Sequence, residues 1–242
     1  MKLLLSLVAV TALFAGGNAL AIDVAALNAS LADPGRSDAD KALDEARKPA
    51  EVLDFLGLEE GMTVLDIMSG GGWYTEVLSR AVGPNGKVYM QNGPAALARG
   101  TTEATVTARL EGRLTNVERL DKDITDLGLP ADSVDFAITN LNFHDVYNRD
   151  PAAAQAFLVS VRNVLKPGGI FGLIDHEGTV GADNAALHRI PMESVVAAVT
   201  EAGFEIVETS DLLNVSSDDH TKGPFDAALE RNTDRLMLKL TK

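Results

Sequence analysis

The stretch Thr63-Val64-Leu65-Asp66-Ile67-Met68-Ser69-Gly70-Gly71-Gly72-Trp73-Tyr74 decides the fold. Its first five residues form a short apolar run of the kind that fills a buried parallel strand. Ser69 to Gly72 reads as a loop, and Trp73 to Ala81 as a helix. A glycine loop between the end of a strand and the start of a helix lets a ligand approach the backbone closely. The first helical N–H groups are free to meet that ligand. No Lys-Ser/Thr follows the glycines, so the loop is not a P-loop. By itself such a loop fits a ligand cradle or a plain tight turn.

Outward from this point the chain alternates strand and helix. Gly83-Pro84-Asn85-Gly86 is a turn, and strands are expected at 87–90, 117–120, 134–139 and 170–174. The stretch 93–113 is polar and weakly helical. Asp150-Pro151 sets a cap before a proline at the first helical position, and Lys166-Pro167-Gly168-Gly169 stops the helix that starts there. Pro191 opens another helix that ends at Gly203. Late strands are expected at 204–208 and 235–240, with a polar loop rich in Asp and Ser between them. Upstream, helices are expected at 23–31, at 38–47 after a Ser37 cap, and at 49–56 from Pro49. This alternation predicts an α/β fold, a doubly wound and largely parallel sheet with helices on both faces. Ligands of such sheets bind at the carboxyl ends of the strands.

Composition narrows the function. The formal net charge is −14, and no run of Lys or Arg interrupts it, so a nucleic-acid partner is not expected. Cysteine is absent, which excludes disulfides, thiolate nucleophiles and cysteine metal sites. Met1-Lys2 gives a short positive start, Leu3 to Phe14 is apolar, and Ala19-Leu20-Ala21 has the small-x-small pattern of a cleavage site. That apolar run is shorter than the ~20 residues that span a bilayer. The chain therefore divides into a signal peptide at 1–21, an N-terminal helical segment at 22–60 and a main domain at 61–242. The expected location is periplasmic or secreted, with no stable membrane insertion after cleavage.

Val64 to Thr75, Gly83 to Asn92, Asp123 to Asp135 and Leu165 to Ile174 together resemble the class I S-adenosylmethionine-dependent methyltransferase superfamily. The flanks Arg47-Lys48-Pro49, Leu187-His188-Arg189-Ile190 and Ala202-Gly203-Phe204 resemble an exported branch of it. The resemblance implies a Rossmann-like seven-stranded sheet of order 3-2-1-4-5-7-6 with its last strand antiparallel, and S-adenosylmethionine as cofactor. The family's glycine motif falls on Asp66, Met68, Gly70 and Gly72, with Met68 in place of a glycine. The acid that holds the ribose hydroxyls is replaced by Asn92. Asp123 matches the acid that reads the adenine amino group, and Ile124 stands where a backbone N–H meets the ring. Asn140 opens the segment after strand four.

His144 and Asp145 follow strand four, where the family places substrate-facing residues, and are the candidate catalytic pair. His176 follows Asp175 at the end of strand five, also on the ligand side. A histidine there titrates near neutrality and can act as a base. No short-spaced ligand motif is present, so no metal is expected, although His144, Asp145, Asp175 and His176 form a conceivable ligand set. The leading expectation is methyl transfer to a small molecule outside the cytoplasm. The alternative is a non-catalytic binding protein that reuses the nucleoside pocket for another ligand. Loss of the ribose acid and of one glycine, at Asn92 and Met68, favours the alternative; Gly70, Gly72 and Asp123 favour the enzyme.

Amino-terminal sequencing of the protein from the extracytoplasmic fraction should begin at Ile22. Recovery of uncut chain from the cytosol alone would refute export.

Overall fold

The computed structural model describes residues 20–242, so most of the expected signal segment lies outside the described residues. Three helices come first, α1 (Val24–Leu31), α2 (Asp38–Arg47) and α3 (Pro49–Leu56). Then follow β1 (Thr63–Ile67), α4 (Trp73–Val82), β2 (Lys87–Gln91), α5 (Pro94–Leu97), α6 (Thr102–Leu110), β3 (Val117–Leu120) and β4 (Val134–Asn140). The second half holds α7 (Phe143–Arg149), α8 (Pro151–Val164), β5 (Leu165–His176), α9 (Asn184–Leu187), α10 (Met192–Glu201), β6 (Glu205–Thr209) and β7 (Arg235–Thr241).

Local chemistry starts the helices where the sequence placed them. Ser37 accepts a hydrogen bond from the Asp40 N–H and opens α2. Asp150 does the same for Ala152, with Pro151 at the first position of α8. The sheet has the order β3-β2-β1-β4-β5-β7-β6. β4 lies at its centre; β1, beside it, is parallel to β2 and β4, while β7 runs antiparallel to both β5 and β6. The expected fold class and strand order are therefore observed.

Both faces of the sheet are covered. Successive residues of β4 point to opposite sides, so Phe136 and Ile138 join one core and Ala137 the other. The first core includes Leu53 and Leu56 of α3 and Leu78 of α4. The second includes Phe157 and Leu158 of α8 and Val195 of α10. Gly172 lets α3 sit close to the sheet, because a Cβ there would fall 2.6 Å from Leu56 Cδ1.

Two expectations change. The strand expected at 170–174 runs over Leu165–His176, so Lys166–Gly169, which does end the helix, is part of β5, whose pairing with β4 shifts register between Val134 and Phe136. The segment after β4 is a short helix, α7, which the polar residues Asn142, His144 and Asp145 do not announce as an apolar period would.

The long loop between β6 and β7 is tied down by a buried ion pair. Arg189 is fully buried, and its Nη2 donates to both oxygens of Asp218 at 2.9 and 2.7 Å. Its other nitrogens donate to the carbonyls of Glu177 and Lys222, and Asp218 also accepts from the Asp234 and His220 N–H groups. Removing one partner strands the other charge. Asp218→Ala should cost about 3–5 kcal/mol, read as a fall in the denaturant midpoint. An unchanged midpoint would show that the loop carries no folding energy.

Candidate active site

The carboxyl ends of the parallel strands carry two adjoining regions. The first lies over β1, β2 and β3. Asp66 is buried and turned into α4, where its carboxylate accepts from Thr75 Oγ1 at 2.5 Å. Burial raises it to about 7, against the hydrogen bonds from Thr75. Its contacts therefore anchor the start of the helix. Met68 takes a left-handed backbone, φ 51°, at the position where the family has glycine.

Three neutral amides hold the loop. Gln91 is fully buried; its Oε1 accepts from the Met68 N–H at 2.8 Å, and its Nε2 donates to the Lys122 carbonyl at 2.6 Å. Asn142 Nδ2 donates to the Met68 carbonyl at 3.1 Å. Asn92 Oδ1 accepts from the Gly70 N–H at 2.9 Å, while its Nδ2 donates to Ser69 Oγ and the Gly70 carbonyl. The side chain expected to face a ribose is buried and spent on the loop, so Asn92 acts here as a clamp. Gly70 itself is open, since a Cβ there would meet nothing within 4 Å. An added Cβ at Gly72 would meet Met90 Cε at 2.5 Å and Arg109 Cδ at 2.8 Å, so Gly72 serves packing. Asp123 is exposed; its Oδ1 accepts from the Thr125 N–H and hydroxyl, and Oδ2 takes no bond among the described residues. Ile124 is half-buried beside it, packed on the core under the sheet.

The second region lies over β4, β5 and β7, beneath α2. A cavity of about 300 Å³ opens there, and Asn140, His144, Asp145 and His176 line part of it. Asp175 is fully buried and receives three hydrogen bonds, from the His144 N–H, the His144 ring Nδ1–H and the His176 N–H, all at 2.7–2.8 Å. A carboxylate only accepts, so Nδ1 of His144 carries the proton and Nε2 is aimed outward. Nε2 lies 3.4 Å from Asp145 Oδ1, and His188 Nδ1 donates to that same oxygen at 3.1 Å.

These contacts set the charges. Burial pulls His144 down, but Asp145 and Asp175 outweigh it and hold the imidazole at about 9. His144 in turn draws Asp145 down to about 2. His176 goes the other way, driven to about 2 by burial and by the neighbouring His144, Arg235 and Arg189. The ligand atoms of His144, Asp145 and His188 lie within 4.8 Å of one another, near enough for a cation. In this structure their hydrogen bonds already satisfy one another.

The structure thus brings Asn140, His144, Asp145 and His176 to one cavity, and sets Gly70 and Asp123 apart from it on the neighbouring loops. Sequence reasoning missed the clamping amides Gln91 and Asn142, the orienting role of Asp175, and the arginines Arg47, Arg231 and Arg235 on the cavity wall. Arg47 and Arg235 lie at opposite ends of the chain, and no spacing rule joins them.

The profile of the methyltransferase domain matches residues 58–227. The ubiquinone/menaquinone biosynthesis C-methyltransferase UbiE of Escherichia coli is 27% identical over 187 residues, covering 64% of this chain and 71% of that protein. A SAM-dependent methyltransferase from Aquifex aeolicus superposes with a TM-score of 0.61 at 24% identity, covering 90% of this chain and 97% of that one. The [4+2]-cyclase SpnF superposes with a TM-score of 0.62 at 19% identity, covering 90% of this chain and 92% of that one. These two likenesses show the fold, and the cyclase shows that the fold alone leaves the reaction open. The sequence match over residues 58–227 goes further: the chain belongs to the methyltransferase domain family, and S-adenosylmethionine is the cofactor which that membership implies.

Proposed function

We propose that this protein transfers a methyl group from S-adenosylmethionine to a small molecule, and that it does so outside the cytoplasm. The observation that carries the reading is the buried Asp175–His144 pair, whose Nε2, 3.4 Å from Asp145 Oδ1, lies at an open cavity on the same edge of the sheet as the glycine loop.

The residues present fit the cofactor at three points. Gly70 leaves open space above the loop, Asp123 keeps one carboxylate oxygen for an adenine amino group, and Asn140 leads from that side to the cavity. They depart from it at Asn92, whose amide is occupied. That departure, with Met68 in place of a glycine, favours a binding protein that uses the pocket for another ligand.

When bound, the cofactor supplies a methyl group already activated on a sulfonium. The chain's work is to hold the acceptor in line and to remove its proton. His144 Nε2 takes that proton, and Asp175 keeps the ring in the tautomer that leaves Nε2 free. Asp145, exposed and hydrogen-bonded to His188, is the counter-ion of the imidazolium so formed. With the cofactor bound, an acceptor held by these residues would bond through its lone pair to the methyl carbon, and the electrons of the carbon–sulfur bond would stay on sulfur.

The base works only when neutral, and His144 is held at about 9. Below that value the protonated form dominates, so the transfer rate should rise roughly tenfold per pH unit and level off near it. Asp175→Asn removes one anionic partner and should move the rise to lower pH while reducing the plateau. His144→Gln should lower turnover by ~10²–10⁴-fold and leave cofactor affinity unchanged. A flat pH profile, or full turnover in His144→Gln, would remove the base from the mechanism. Gly70→Val should weaken S-adenosylmethionine binding in calorimetry by more than tenfold. Equal binding would place the cofactor elsewhere, and binding without transfer to any acceptor would favour the non-catalytic reading.

A further inference from the structure

The cavity wall carries a charge that the transfer reaction leaves unexplained. Arg235, at the start of β7, is 4% exposed. Its Nη1 donates to the Ala46 carbonyl at 2.6 Å and its Nη2 to the Arg231 carbonyl at 3.1 Å, but its buried Nε has no partner among the described residues. Arg47, at the end of α2, lies with its guanidinium 4.5 Å over the Trp73 ring. Among the described residues neither guanidinium forms a salt bridge within 4.0 Å. Both are pulled down first by burial, and Arg47 further lowers Arg235.

The nearby acids are committed elsewhere. Asp40 pairs with Arg109 through both oxygens, and Asp44 pairs with Arg36 in the same way. Asp234 accepts from the N–H groups of Val215 and Arg235 and from His220. Asp145 is bound to His144 and His188. Glu230 lines the cavity but stays beyond 4.0 Å of either arginine. Two desolvated cations on one wall, with no carboxylate between them, leave a deficit of negative charge that a ligand can supply. A third arginine, Arg231, lies on the wall with its guanidinium 4.6 Å over the exposed Phe225 ring, and Leu43 and Leu141 add apolar surface that suits an apolar body.

We propose that the cavity takes a small organic acid, its carboxylate seated on Arg47 and Arg235 and its apolar body turned toward Leu141 and His144. This deepens the methyltransferase reading and rests on it in one respect only, that the organic acid is the methyl acceptor. A carboxylate could also come from the amino-acid end of the cofactor, and the test separates the two sources.

Benzoate and inorganic phosphate serve as probes, titrated into the purified protein at constant ionic strength and followed by calorimetry and thermal unfolding. Benzoate should bind and raise the unfolding temperature, and phosphate should do so less. Arg235→Gln and Arg47→Gln should each weaken benzoate by about tenfold or more. Arg47→Gln gives up its stacking on Trp73 but no hydrogen bond among the described residues, and an unchanged unfolding temperature of the ligand-free variant separates loss of binding from misfolding. Benzoate that still binds with saturating S-adenosylhomocysteine present assigns the site to the acceptor. Mutual displacement, with S-adenosylhomocysteine itself weakened tenfold by the two variants, assigns it to the cofactor and overturns the proposal. No response in the parent protein, or an equal response in both variants, overturns it as well. Benzoate binding in a protein that ignores S-adenosylhomocysteine supports the organic-acid site and sinks the methyltransferase reading instead.

Discussion

The carboxylate of Asp175 is the constraint around which the site is built. It is fully buried at the end of β5, and a buried carboxylate is tolerated only when its oxygens are satisfied. Three donors satisfy it, and two of them belong to His144. The bond from the His144 backbone N–H fixes where α7 leaves β4. The bond from Nδ1–H fixes the ring. Helix start, ring orientation and tautomer thus follow from one buried charge.

The same strand edge is secured on its other side without charge. Gln91, Asn92 and Asn142 bind the backbone of the glycine loop through neutral amides that both donate and accept. An amide can meet a neighbouring N–H and a neighbouring carbonyl at once, which a carboxylate cannot. The arrangement holds Met68 in a left-handed backbone that its side chain disfavours. What is gained in loop rigidity is taken from the side chain that would otherwise be open at the ribose position.

Charge is distributed unevenly across a chain that is acidic as a whole. Its acids gather around Arg36, Arg80, Arg109 and Arg113, where α2, α4 and α6 meet; Glu76, fully buried, is shared by three of these arginines. The Arg189–Asp218 pair closes the loop over β7 in the same manner. Arg47 and Arg235 stand outside these networks, on the wall of the cavity that His144 also lines. The net charge of −14 conceals this, because it sums a surface and says nothing of a pocket.

How much of this was legible beforehand follows from the range of each interaction. Apolar runs, caps and glycine turns act over a few residues, so the sequence by itself determined α2, α3, α8, the central strands and, through its motifs, the strand order and family. It also placed Asn140, His144, Asp145 and His176 at the ligand edge, because a parallel sheet brings all its carboxyl ends together. Only the tertiary structure decided what those residues touch. Asn92 was legible as a departure from an acid, but its bonds to Ser69 and Gly70 depend on how the ends of β1 and β2 are stacked. The cationic wall joins Arg47 to Arg235 across nearly the whole chain, and α7 forms at the bidding of Asp175 on another strand. Burial and hydrogen-bond partners of this kind come from segments distant in sequence, and no local pattern encodes them.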